Sequence, residues 1–440
     1  MPSPATKNAT VMNTQPTPDR GSPDLSVSKN PPKVAMKLSS EDALAKFGDR
    51  LDEAQRQEIA QYSNIYYMGQ NVIDDSKVIK SKTKEEKAMY LPKVGDHIAY
   101  RYEVERLIGK GSFANVVRAY DYKTEQMVAL KIMRNEPRYM KLLNREIEIL
   151  ECLRKQDPNN TMNIIHLLDK FWFRGHLCLS FELLSINLFD LNRKNKFMGF
   201  TPVLARKFAH GILTAMDALY ANKIIHADLK PENILLKRRS RSGVKLIDFG
   251  WSSFQSQQPF STYIQSRFYR APEVILHGPY TTAIDMWSFG TILAEMVTGL
   301  PLFPGDDKHD QLAVIIECLG VPPTGFLNKC QYPYRYFSQH GYPFYCRAAE
   351  EVDNTVTTHM VVLTGSYNKG GKFRGPPGSK PISETLRAHY DEELVDLLHR
   401  CLEWDPDERL TPAEALTHNW MMKRECRNSA GKLCKRGKEN

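Results

Sequence analysis

Residues 226–233 read His-Ala-Asp-Leu-Lys-Pro-Glu-Asn and residues 248–250 read Asp-Phe-Gly, and these two stretches decide how the remainder of the chain is interpreted. Between them lie two short apolar runs joined by the polar segment 237–243, a pattern that predicts two β-strands and a turn. Such a hairpin would bring Asn233 and Asp248 side by side. A cation between them would give both polar side chains a reason to be buried.

Four residues in these stretches form a set with one chemistry. They supply two carboxylates, one ammonium group and one carboxamide: Asp228, Asp248, Lys230 and Asn233. These groups together can hold a metal-bound triphosphate against an attacking hydroxyl group. The pattern therefore predicts phosphoryl transfer.

The composition limits the class of protein but names no activity. The chain has 440 residues, of which 42% are hydrophobic and 25% charged, as in ordinary globular proteins with two or three domain-sized units. The net charge of +9 suits an acidic partner such as a nucleotide phosphate, and it suits a membrane surface or nucleic acid equally well.

Cysteine usage and hydropathy bear on location. The eight cysteines include no Cys-x-x-Cys pair and several lie in apolar runs, so we expect reduced thiols and an intracellular protein. No apolar run approaches the length of about 18 residues that spans a membrane, and residues 1–32 contain no apolar signal core. We therefore expect a cytoplasmic protein, with the nucleus as a second location.

The N-terminal part of the chain precedes the main domain. Residues 1–37 contain too few large apolar residues to fold, which predicts a disordered tail. Residues 38–94 predict an accessory box and a linker, with helical patterns beginning after Ser39 and again at Asp52. The charged run 74–87 is typical of a solvated linker.

Residues 95–184 predict a small, strand-rich lobe. Two β-like runs flank the turn 109–114, whose glycines would let backbone N–H groups approach a phosphate, although a plain hairpin explains the turn as well. In the next strand, alternation points Lys131 inward, where an ammonium group needs an anionic partner. Glu146, on a helix predicted over 138–153, is either that partner or one more surface carboxylate.

Residues 185–421 predict a larger, helical lobe. Residues 321–380 within it are rich in Pro, Gly, Tyr and Lys and are expected to form loops, and residues 422–440 a basic tail. The expected fold class is α+β with two lobes, and the cleft between the lobes is where a ligand would bind.

Taken in order, these motifs resemble those of the protein kinases. The glycine turn, the strand ending in Lys131, Glu146, the two central stretches and Ala-Pro-Glu at 271–273 follow one another in family order over about residues 102–420. Residues 262–270 (Thr-Tyr-Ile-Gln-Ser-Arg-Phe-Tyr-Arg) resemble the dual-specificity tyrosine-regulated kinase (DYRK) family. Several segments are similar to its second subclass, namely 43–71, 181–184, 285–288, 375–377 and 401–406.

The resemblance implies a two-lobed kinase fold that uses ATP and Mg²⁺. It implies that Lys131 holds the α- and β-phosphates and Glu146 holds Lys131. It further implies that Asp228 accepts a hydrogen bond from the substrate hydroxyl group and that Lys230 reaches the γ-phosphate. The metal ligands would be Asn233 and Asp248. The nucleotide would contact Ile108, Gly109, Lys110, Gly111, Val116, Ala129, Lys131, Phe181, Glu182, Leu183, Leu184 and Leu235.

The resemblance also implies a mode of activation. Ala227 stands where most kinases controlled by activation-loop phosphate carry an arginine. The implied device is self-phosphorylation of Tyr263, assisted by the box over 43–71, and the phosphate would pair with Arg267 and Arg270. The alternative for these arginines is a basic surface that binds acidic substrate. Substrates would carry serine or threonine followed by proline, often with arginine upstream.

Three further residues would be structural. By resemblance, Glu273 and Arg409 form a buried ion pair that braces the substrate loop, and Asp285 anchors the backbone of the catalytic loop.

The sequence departs from the family pattern at four positions. Ala114 replaces the third glycine of the phosphate loop, and Ala227 replaces the family's cysteine. Trp251 follows Asp-Phe-Gly where a small residue is usual, and Ser261 takes the first position of the family's Tyr-x-Tyr.

Two other functions stay open at this point. A pseudokinase scaffold would be expected to lack Lys131, Asp228 or Asp248, and all three are present. Nucleic-acid binding rests only on the basic run 423–438, which is more often a solvated end or a nuclear-import signal. We expect a monomer that acts on proteins, without a membrane or nucleic-acid partner.

Overall fold

A computed structural model gives the fold, and it describes residues 36–69, 89–111, 113–239, 241–257, 264–353, 358–386, 389 and 391–423. Some of the features predicted from the sequence lie outside these residues: the tail over 1–35, the linker run 74–87, Ser261, Tyr263 and the basic end over 424–440.

Two short helices form the accessory box, α1 (Ser40–Phe47) and α2 (Glu53–Ile59). Ser39 caps α1 by accepting a hydrogen bond from the backbone N–H of Asp42 at 3.0 Å, and Asp52 forms a reciprocal capping box with Gln55 at the start of α2. The box buries a small apolar cluster of its own, which includes Ala43, Ile59, Ile65 and Tyr100.

The small lobe is built on an antiparallel sheet of six strands in the order β1-β2-β3-β4-β6-β5. Alternate residues such as Val104, Val117 and Leu130 are buried on one face, as β-branched and aliphatic side chains favour. The strands are β1 (His97–Ile98), β2 (Tyr102–Lys110), β3 (Ala114–Asp121), β4 (Gln126–Met133), β5 (Leu167–Phe173) and β6 (His176–Glu182).

One long helix, α3 (Met140–Gln156), belongs to the small lobe. It begins two residues later than predicted, because a short 3₁₀ turn at Pro137–Tyr139 occupies the residues before it. Pro137 stands at the first position of that turn, where its missing N–H costs nothing. Leu143, Ile147 and Leu150 recur at helical spacing and are buried on one side, together with Glu146.

Ten helices of the described chain make up most of the large lobe. The most deeply buried is α7, in which Trp287 and Phe289 are inaccessible to solvent. The helices are α4 (Leu188–Lys194), α5 (Pro202–Ala221), α6 (Pro272–Ile275), α7 (Ala283–Thr298), α8 (Lys308–Leu319), α9 (Thr324–Asn328), α10 (Ile382–Leu386), α11 (Glu392–Cys401), α12 (Pro412–Thr417) and α13 (Asn419–Met422).

Two small strand pairs lie beneath the cleft. β7 (Ile224–Ile225) pairs with β10 (Ser253–Phe254), and β8 (Ile234–Leu236) pairs with β9 (Val244–Leu246). The second pair is the hairpin predicted from the sequence. It places the residues that precede Asp248 beside those that follow Asn233.

The structure corrects two predictions for the large lobe. Residues 321–380 are not only loops, since they contain α9 and two hairpins, β11 (Arg347–Asp353) with β12 (Thr358–Thr364) and β13 (Ser366–Tyr367) with β14 (Phe373–Arg374). The prediction followed the high Pro and Gly content of the whole segment and overlooked the run of strand-forming residues in β12.

The second correction concerns the start of the predicted basic tail, because residues 422 and 423 belong to the folded lobe. Met422 is the last residue of α13, and Lys423 forms ion pairs with Asp391 and Glu393. In the parts of the chain that the structure describes, no helix is both long and apolar enough to cross a membrane.

Candidate active site

The catalytic loop between β7 and β8 is held from below by Asp285 at the start of α7. The two carboxylate oxygens of Asp285 accept hydrogen bonds from the backbone N–H groups of His226, at 2.7 Å, and Ala227, at 3.0 Å. Ala227 has a φ of 63°, in the left-handed region that non-glycine residues rarely adopt. Its carbonyl oxygen accepts a hydrogen bond from the N–H of Gln265 at 2.9 Å, so the loop is fixed from two sides.

The His226 imidazole joins the catalytic loop to the strand before Asp248. Its Nδ1 accepts the backbone N–H of Asp228 at 3.3 Å, and its Nε2 lies 3.1 Å from the carbonyl oxygen of Ile247. Burial lowers the pKa of His226, so the ring is neutral and carries its proton on Nε2.

Asp228 is a buried carboxylate that three neighbours orient. Lys230 Nζ donates to its Oδ2 at 2.7 Å, and the Ser266 hydroxyl group donates to its Oδ1 at 2.8 Å. The Asn233 amide donates to the carbonyl oxygen of Asp228 at 2.9 Å. The predicted set Asp228, Lys230 and Asn233 therefore lies together, with one rotamer of Asp228 selected by hydrogen bonds.

Lys131 connects the small lobe to the Asp-Phe-Gly turn. Its Nζ lies 2.7 Å from Glu146 Oε1 and 3.3 Å from Asp248 Oδ1. Burial alone would lower the pKa of Lys131, but the two carboxylates raise it above its usual value, and the charge of Lys131 in turn lowers the pKa of Asp248. Glu146 is only 2% exposed, so it is not one more surface carboxylate.

The hairpin brings Asn233 and Asp248 together through the backbone, since the N–H of Ile247 donates to the carbonyl oxygen of Asn233 at 3.0 Å. Only one of the two side chains is buried, however. Asn233 is 5% exposed, whereas the Asp248 side chain is 45% exposed. The expectation that both are buried was wrong for Asp248, because this carboxylate faces the open cleft beside Lys131.

The register of the sheet groups the residues predicted to contact nucleotide. Gly109 pairs with Val116, and Val116 pairs with Lys131, so all three lie on one face. Ala129 pairs with the buried Phe181 at the end of β6. The remaining members are half-buried or exposed and follow or face these strands: Ile108, Lys110, Gly111, Glu182, Leu183, Leu184 and Leu235.

The fold itself does not require the two glycines of the turn. Neither Gly109 nor Gly111 has a positive φ. A Cβ at Gly109 would lie 3.4 Å from Val116 Cβ, and one at Gly111 would lie 3.6 Å from the carbonyl oxygen of Ala114, so both would fit. Glycine at these positions is useful if a ligand approaches the backbone closely.

Sequence reasoning missed the contacts made by the Glu182 side chain. This carboxylate accepts hydrogen bonds from Lys245 Nζ and, at 3.0 Å, from the N–H of His166. Lys245 is fully buried and also donates to the carbonyl oxygen of Ile164 at 2.9 Å. The alternation that identified Lys131 as an inward cation would have identified Lys245 on β9 as well.

The two arginines predicted to bind a phosphorylated Tyr263 lie just after the part of the loop that the structure does not describe. The buried Arg270 donates to the carbonyl oxygens of Ile264, at 2.8 Å, and Gln265, at 2.7 Å. Arg267 donates to the carbonyl oxygens of Gly305 and Asp306. A phosphate clamp formed by these arginines stays a prediction.

Glu273 and Arg409 form a bidentate pair with both side chains fully buried. The two N–O distances are 2.6 and 2.7 Å. Arg409 also donates to the carbonyl oxygens of Ala283 and Glu403, so none of its charge is left without a partner.

A cavity of about 430 Å³ opens next to Asp228 and Lys230. Burial raises the pKa of Glu295 to about 7, even though the Tyr269 hydroxyl group donates to it at 2.8 Å, and burial also raises the pKa of Glu232. The lining residues are Phe189, Phe197, Lys230, Glu232, Ser266, Arg267, Phe268, Tyr269, Glu295, Gly299, Leu300 and Pro301.

The donor set fits a hard cation that is shared with a phosphate. The Asn233 amide nitrogen is already used as a donor, so its oxygen and the Asp248 carboxylate are the groups left for a metal. No group of three or more His, Cys, Asp or Glu side chains that could hold a metal ion occurs among the described residues. Mg²⁺ needs no such cage, because one or two carboxylates, water and substrate phosphates complete its shell.

The chain is similar to known protein kinases over most of its length. The protein kinase domain model matches residues 102–421. The chain is 50% identical over 388 residues to dual specificity tyrosine-phosphorylation-regulated kinase mbk-2 of Caenorhabditis elegans, which covers 87% of this chain and 47% of the relative. It is 49% identical over 400 residues to dual specificity tyrosine-phosphorylation-regulated kinase 3 of Homo sapiens, covering 90% of this chain and 67% of the relative.

A putative dual specificity tyrosine-phosphorylation-regulated kinase 3 homolog of Drosophila melanogaster is similar over most of this chain, at 50% identity. The chain spans about half the length, 47%, of the nematode and fly relatives.

Proposed function

The chain belongs to the protein kinase family and, within it, to the dual-specificity tyrosine-phosphorylation-regulated kinases, and on this premise we propose that it transfers the γ-phosphoryl group of ATP to serine and threonine hydroxyl groups of proteins. The observation that carries the proposal is the contact of Lys131 with both Glu146 and Asp248, across the cleft from the Asp228 and Lys230 pair.

In this proposal the small lobe binds the nucleotide. Lys131 holds the α- and β-phosphates, and Glu146 fixes Lys131 so that orientation and charge neutralisation are one event. The backbone at Gly109 and Gly111 leaves room for close approach of the phosphates. The adenine lies against Val116, Ala129 and Leu235 and bonds to the backbone of residues 182–184, with Phe181 at the back of the pocket.

Asn233 and Asp248 would hold Mg²⁺, which, when bound, neutralises charge on the transferring phosphoryl group. The low pKa of Asp248 keeps this ligand ionised at neutral pH.

Asp228 positions the substrate in this proposal. Its carboxylate accepts a hydrogen bond from the attacking hydroxyl group, while Ser266 and Lys230 keep its two oxygens in place. An ordinary carboxylate is a weak base at pH 7, so the gain comes mainly from orientation of the hydroxyl group. Lys230 also reaches the γ-phosphate.

The preferred substrate is a serine or threonine followed by proline, with arginine upstream. The cavity beside Asp228 supports the second part, because the carboxyl groups of Glu232 and Glu295 line it and the positive charge of an arginine would favour their ionised forms. A peptide in which the upstream arginine is replaced by norleucine should show a raised KM. A peptide changed at a residue that does not reach the cavity should keep the KM of the parent peptide.

We also propose that the chain phosphorylates its own Tyr263 and that Arg267 and Arg270 bind the product phosphate, adding about one to three charge-assisted hydrogen bonds. Protein made in bacteria should carry phosphate on Tyr263 by mass spectrometry, and the Asp228→Asn variant should not. Active protein without phosphate on Tyr263 would contradict this part.

The accompanying domain organisation is an accessory box over 38–94 and a kinase core over 95–421 that acts as a monomer. Gel filtration with light scattering tests the oligomeric state.

A radiolabelled-ATP assay with a Ser-Pro peptide tests the main proposal. Asp228→Asn should lower turnover at least 100-fold, as loss of a positioned proton acceptor does, while ATP binding and melting temperature stay close to wild type. Lys170→Met, a change in an exposed ion pair of the small lobe, is the control and should leave turnover unchanged. Wild-type turnover no higher than that of Asp228→Asn would favour the scaffold function instead.

A further inference from the structure

Three aromatic rings form a continuous row across the mouth of the cleft. The Trp251 ring, just after the Asp-Phe-Gly turn, stands edge-to-face against Phe113, with ring centroids 6.1 Å apart and planes at 80°. Phe113 in turn stands edge-to-face against Tyr139, at 4.8 Å and 85°. The row therefore links the start of the activation segment, the glycine turn and the approach to α3.

Phe113 belongs to the small lobe, and its backbone is fixed there. Its carbonyl oxygen accepts the N–H of Arg134 at 2.8 Å, and the next residue, Ala114, pairs with Met133. The N–H of Gly111 donates to the carbonyl oxygen of Ala114 at 2.9 Å. Because these backbone hydrogen bonds join Phe113 to the glycine turn, a contact that fixes the Phe113 ring also restrains the turn.

Trp251 belongs to the large lobe, and its neighbours fix it to the catalytic loop. The N–H of Ser252 donates to the carbonyl oxygen of Phe249 at 3.0 Å, and the Ser252 hydroxyl group donates to the carbonyl oxygen of His226 at 3.0 Å. The Phe249 ring lies 4.9 Å from the His226 ring. The Phe113–Trp251 contact thus joins the two lobes at the phosphate end of the cleft.

We propose that Trp251 is a positioning residue that holds the glycine turn down over bound nucleotide through Phe113 and thereby slows nucleotide release. The inference rests on the proposed function, since it needs ATP in the cleft. A small residue at position 251 could not reach Phe113. The contact explains why a bulky residue after Asp-Phe-Gly is compatible with a working cleft: its ring is used between the lobes and not against the metal ligands.

The size of the effect follows from the strength of one such pair. An edge-to-face contact between two aromatic rings shifts a two-state equilibrium by roughly two- to tenfold. The dissociation rate of nucleotide should change by the same factor if the glycine turn must rise before nucleotide leaves.

Stopped-flow release of N-methylanthraniloyl-ATP from the full chain tests the proposal. Trp251→Ala and Phe113→Ala should each release the analogue about two- to tenfold faster than wild type. The double variant should be no faster than Phe113→Ala, because that change alone already breaks the contact with Trp251. Trp251→Phe keeps an aromatic ring and should restore most of the slow release.

Trp172→Ala is the matched control, because this tryptophan is 56% exposed on β5 and should leave release unchanged. Equal release from wild type and Trp251→Ala, or additive effects in the double variant, would overturn the inference. Failure of the wild-type chain to bind the analogue at all would overturn the proposed function and this inference together. Binding with unchanged release in Trp251→Ala would overturn the inference alone, so the two failures can be told apart.

Discussion

At the scale of single residues, Asp310 and Asp285 are both buried carboxylates whose charge depends on what faces them. Burial raises the pKa of Asp285 to about 7, because the two N–H groups of the catalytic loop only partly offset desolvation. Burial acts on Asp310 in the same direction, but the hydrogen bonds of Arg374, Asp306 and Asn368 and the charge of Arg374 together lower its pKa to about 2. Asp310 thus has a cation beside its neutral donors, which Asp285 lacks.

Arg374→Met should destabilise the protein at pH 7 by about 3–5 kcal/mol, because it leaves Asp310 buried without its cation. The folded-state pKa of Asp310 lies below its ordinary value of 3.8. Its stabilising contribution is therefore present above pH 4 and lost as the pH falls toward 2. Urea unfolding at several pH values should show the difference between wild type and variant shrinking by about 2 kcal/mol over that window.

Lys372→Met is the control for this experiment, since the Lys372–Asp306 pair is largely exposed. It should cost less than about 1 kcal/mol. An equal cost for both variants would contradict the role given to burial.

Single residues also show what the sequence could and could not reveal. Lys131 was predictable because alternation in one strand points it inward. The chemistry of residues 226–250 was predictable because two carboxylates, an ammonium group and a carboxamide lie close together in the sequence. The Glu273–Arg409 pair joins residues 136 positions apart, and no local sequence pattern predicts it. Only resemblance to a family brought those two residues together before the fold was known.

At the scale of elements, the β8–β9 hairpin is held on both edges. Leu246 exchanges backbone hydrogen bonds with Asn163 and Ile165 on one side, and Leu236 does so with Ser185 and Ile186 on the other. Lys245 adds a buried hydrogen bond from the hairpin to the side chain of Glu182, the residue that follows Phe181. The hairpin thereby sets the position of the segment that is proposed to bind adenine.

Lys245→Met should therefore raise the KM for ATP on the order of tenfold while leaving kcat within about twofold, because it loosens adenine binding and does not touch the phosphates. The Glu182→Gln variant, which keeps a hydrogen-bond acceptor, should show a smaller rise. Steady-state kinetics at saturating peptide measure the split. A fall in kcat with an unchanged KM would show that the pair supports the catalytic loop instead.

One titratable side chain of β1, that of His97, lies in an aromatic environment. His97 is buried, its ring stacks on Tyr100 at 4.1 Å, and it packs against Phe173. Burial lowers the pKa of His97 to about 4, and the charge of Arg174 lowers it further while that of Glu58 opposes the shift. The folded chain thus holds this imidazole neutral well below its ordinary pKa of 6.5.

Because the folded-state pKa is depressed, the stability linked to His97 is present above pH 6.5 and lost as the pH falls toward 4. The loss should reach about 3 kcal/mol. His97→Phe cannot take up the proton and should flatten this part of the pH profile, measured by urea unfolding between pH 7 and 4. Equal profiles for the two proteins would show that His97 is not the group that titrates.

Helices and strands differ in how well local sequence patterns predict them. The helices and strands around the cleft have strong periodicity, and their predicted positions agree with the structure to within a few residues. The segment 321–380 does not, because its strands are short and lie among prolines and glycines that dominate the composition. Its β13–β14 pair is defined largely by long-range contacts, such as the one between Arg374 and Asp310, which local patterns do not contain.

At the scale of the whole molecule, the two lobes share the largest apolar cluster, the sheet of the small lobe has a second one, and the accessory box has a third. The main cluster runs from Leu143 in α3 through Phe249 to Phe289 in α7, beneath the cleft. The box has its own cluster, closed by Tyr100 from the loop between β1 and β2. A charged link to the sheet is the Arg174 guanidinium group, which donates to both oxygens of Glu58 at 2.9 and 3.0 Å.

Arg174→Ala should loosen the box without unfolding the two lobes, because it removes the two charge-assisted hydrogen bonds to Glu58 and leaves that carboxylate with the Tyr100 hydroxyl group as its donor at 3.0 Å. If the box assists phosphorylation of Tyr263, as the family resemblance suggests, protein made in bacteria should carry less phosphate at Tyr263. Mass spectrometry measures that occupancy, and limited proteolysis around residues 36–69 reports release of the box. Arg193→Ala removes an exposed pair with Asp190 on α4 and serves as the matched control. Rapid cleavage of the box with full phosphate at Tyr263 would separate the two events and assign the box a purely structural role.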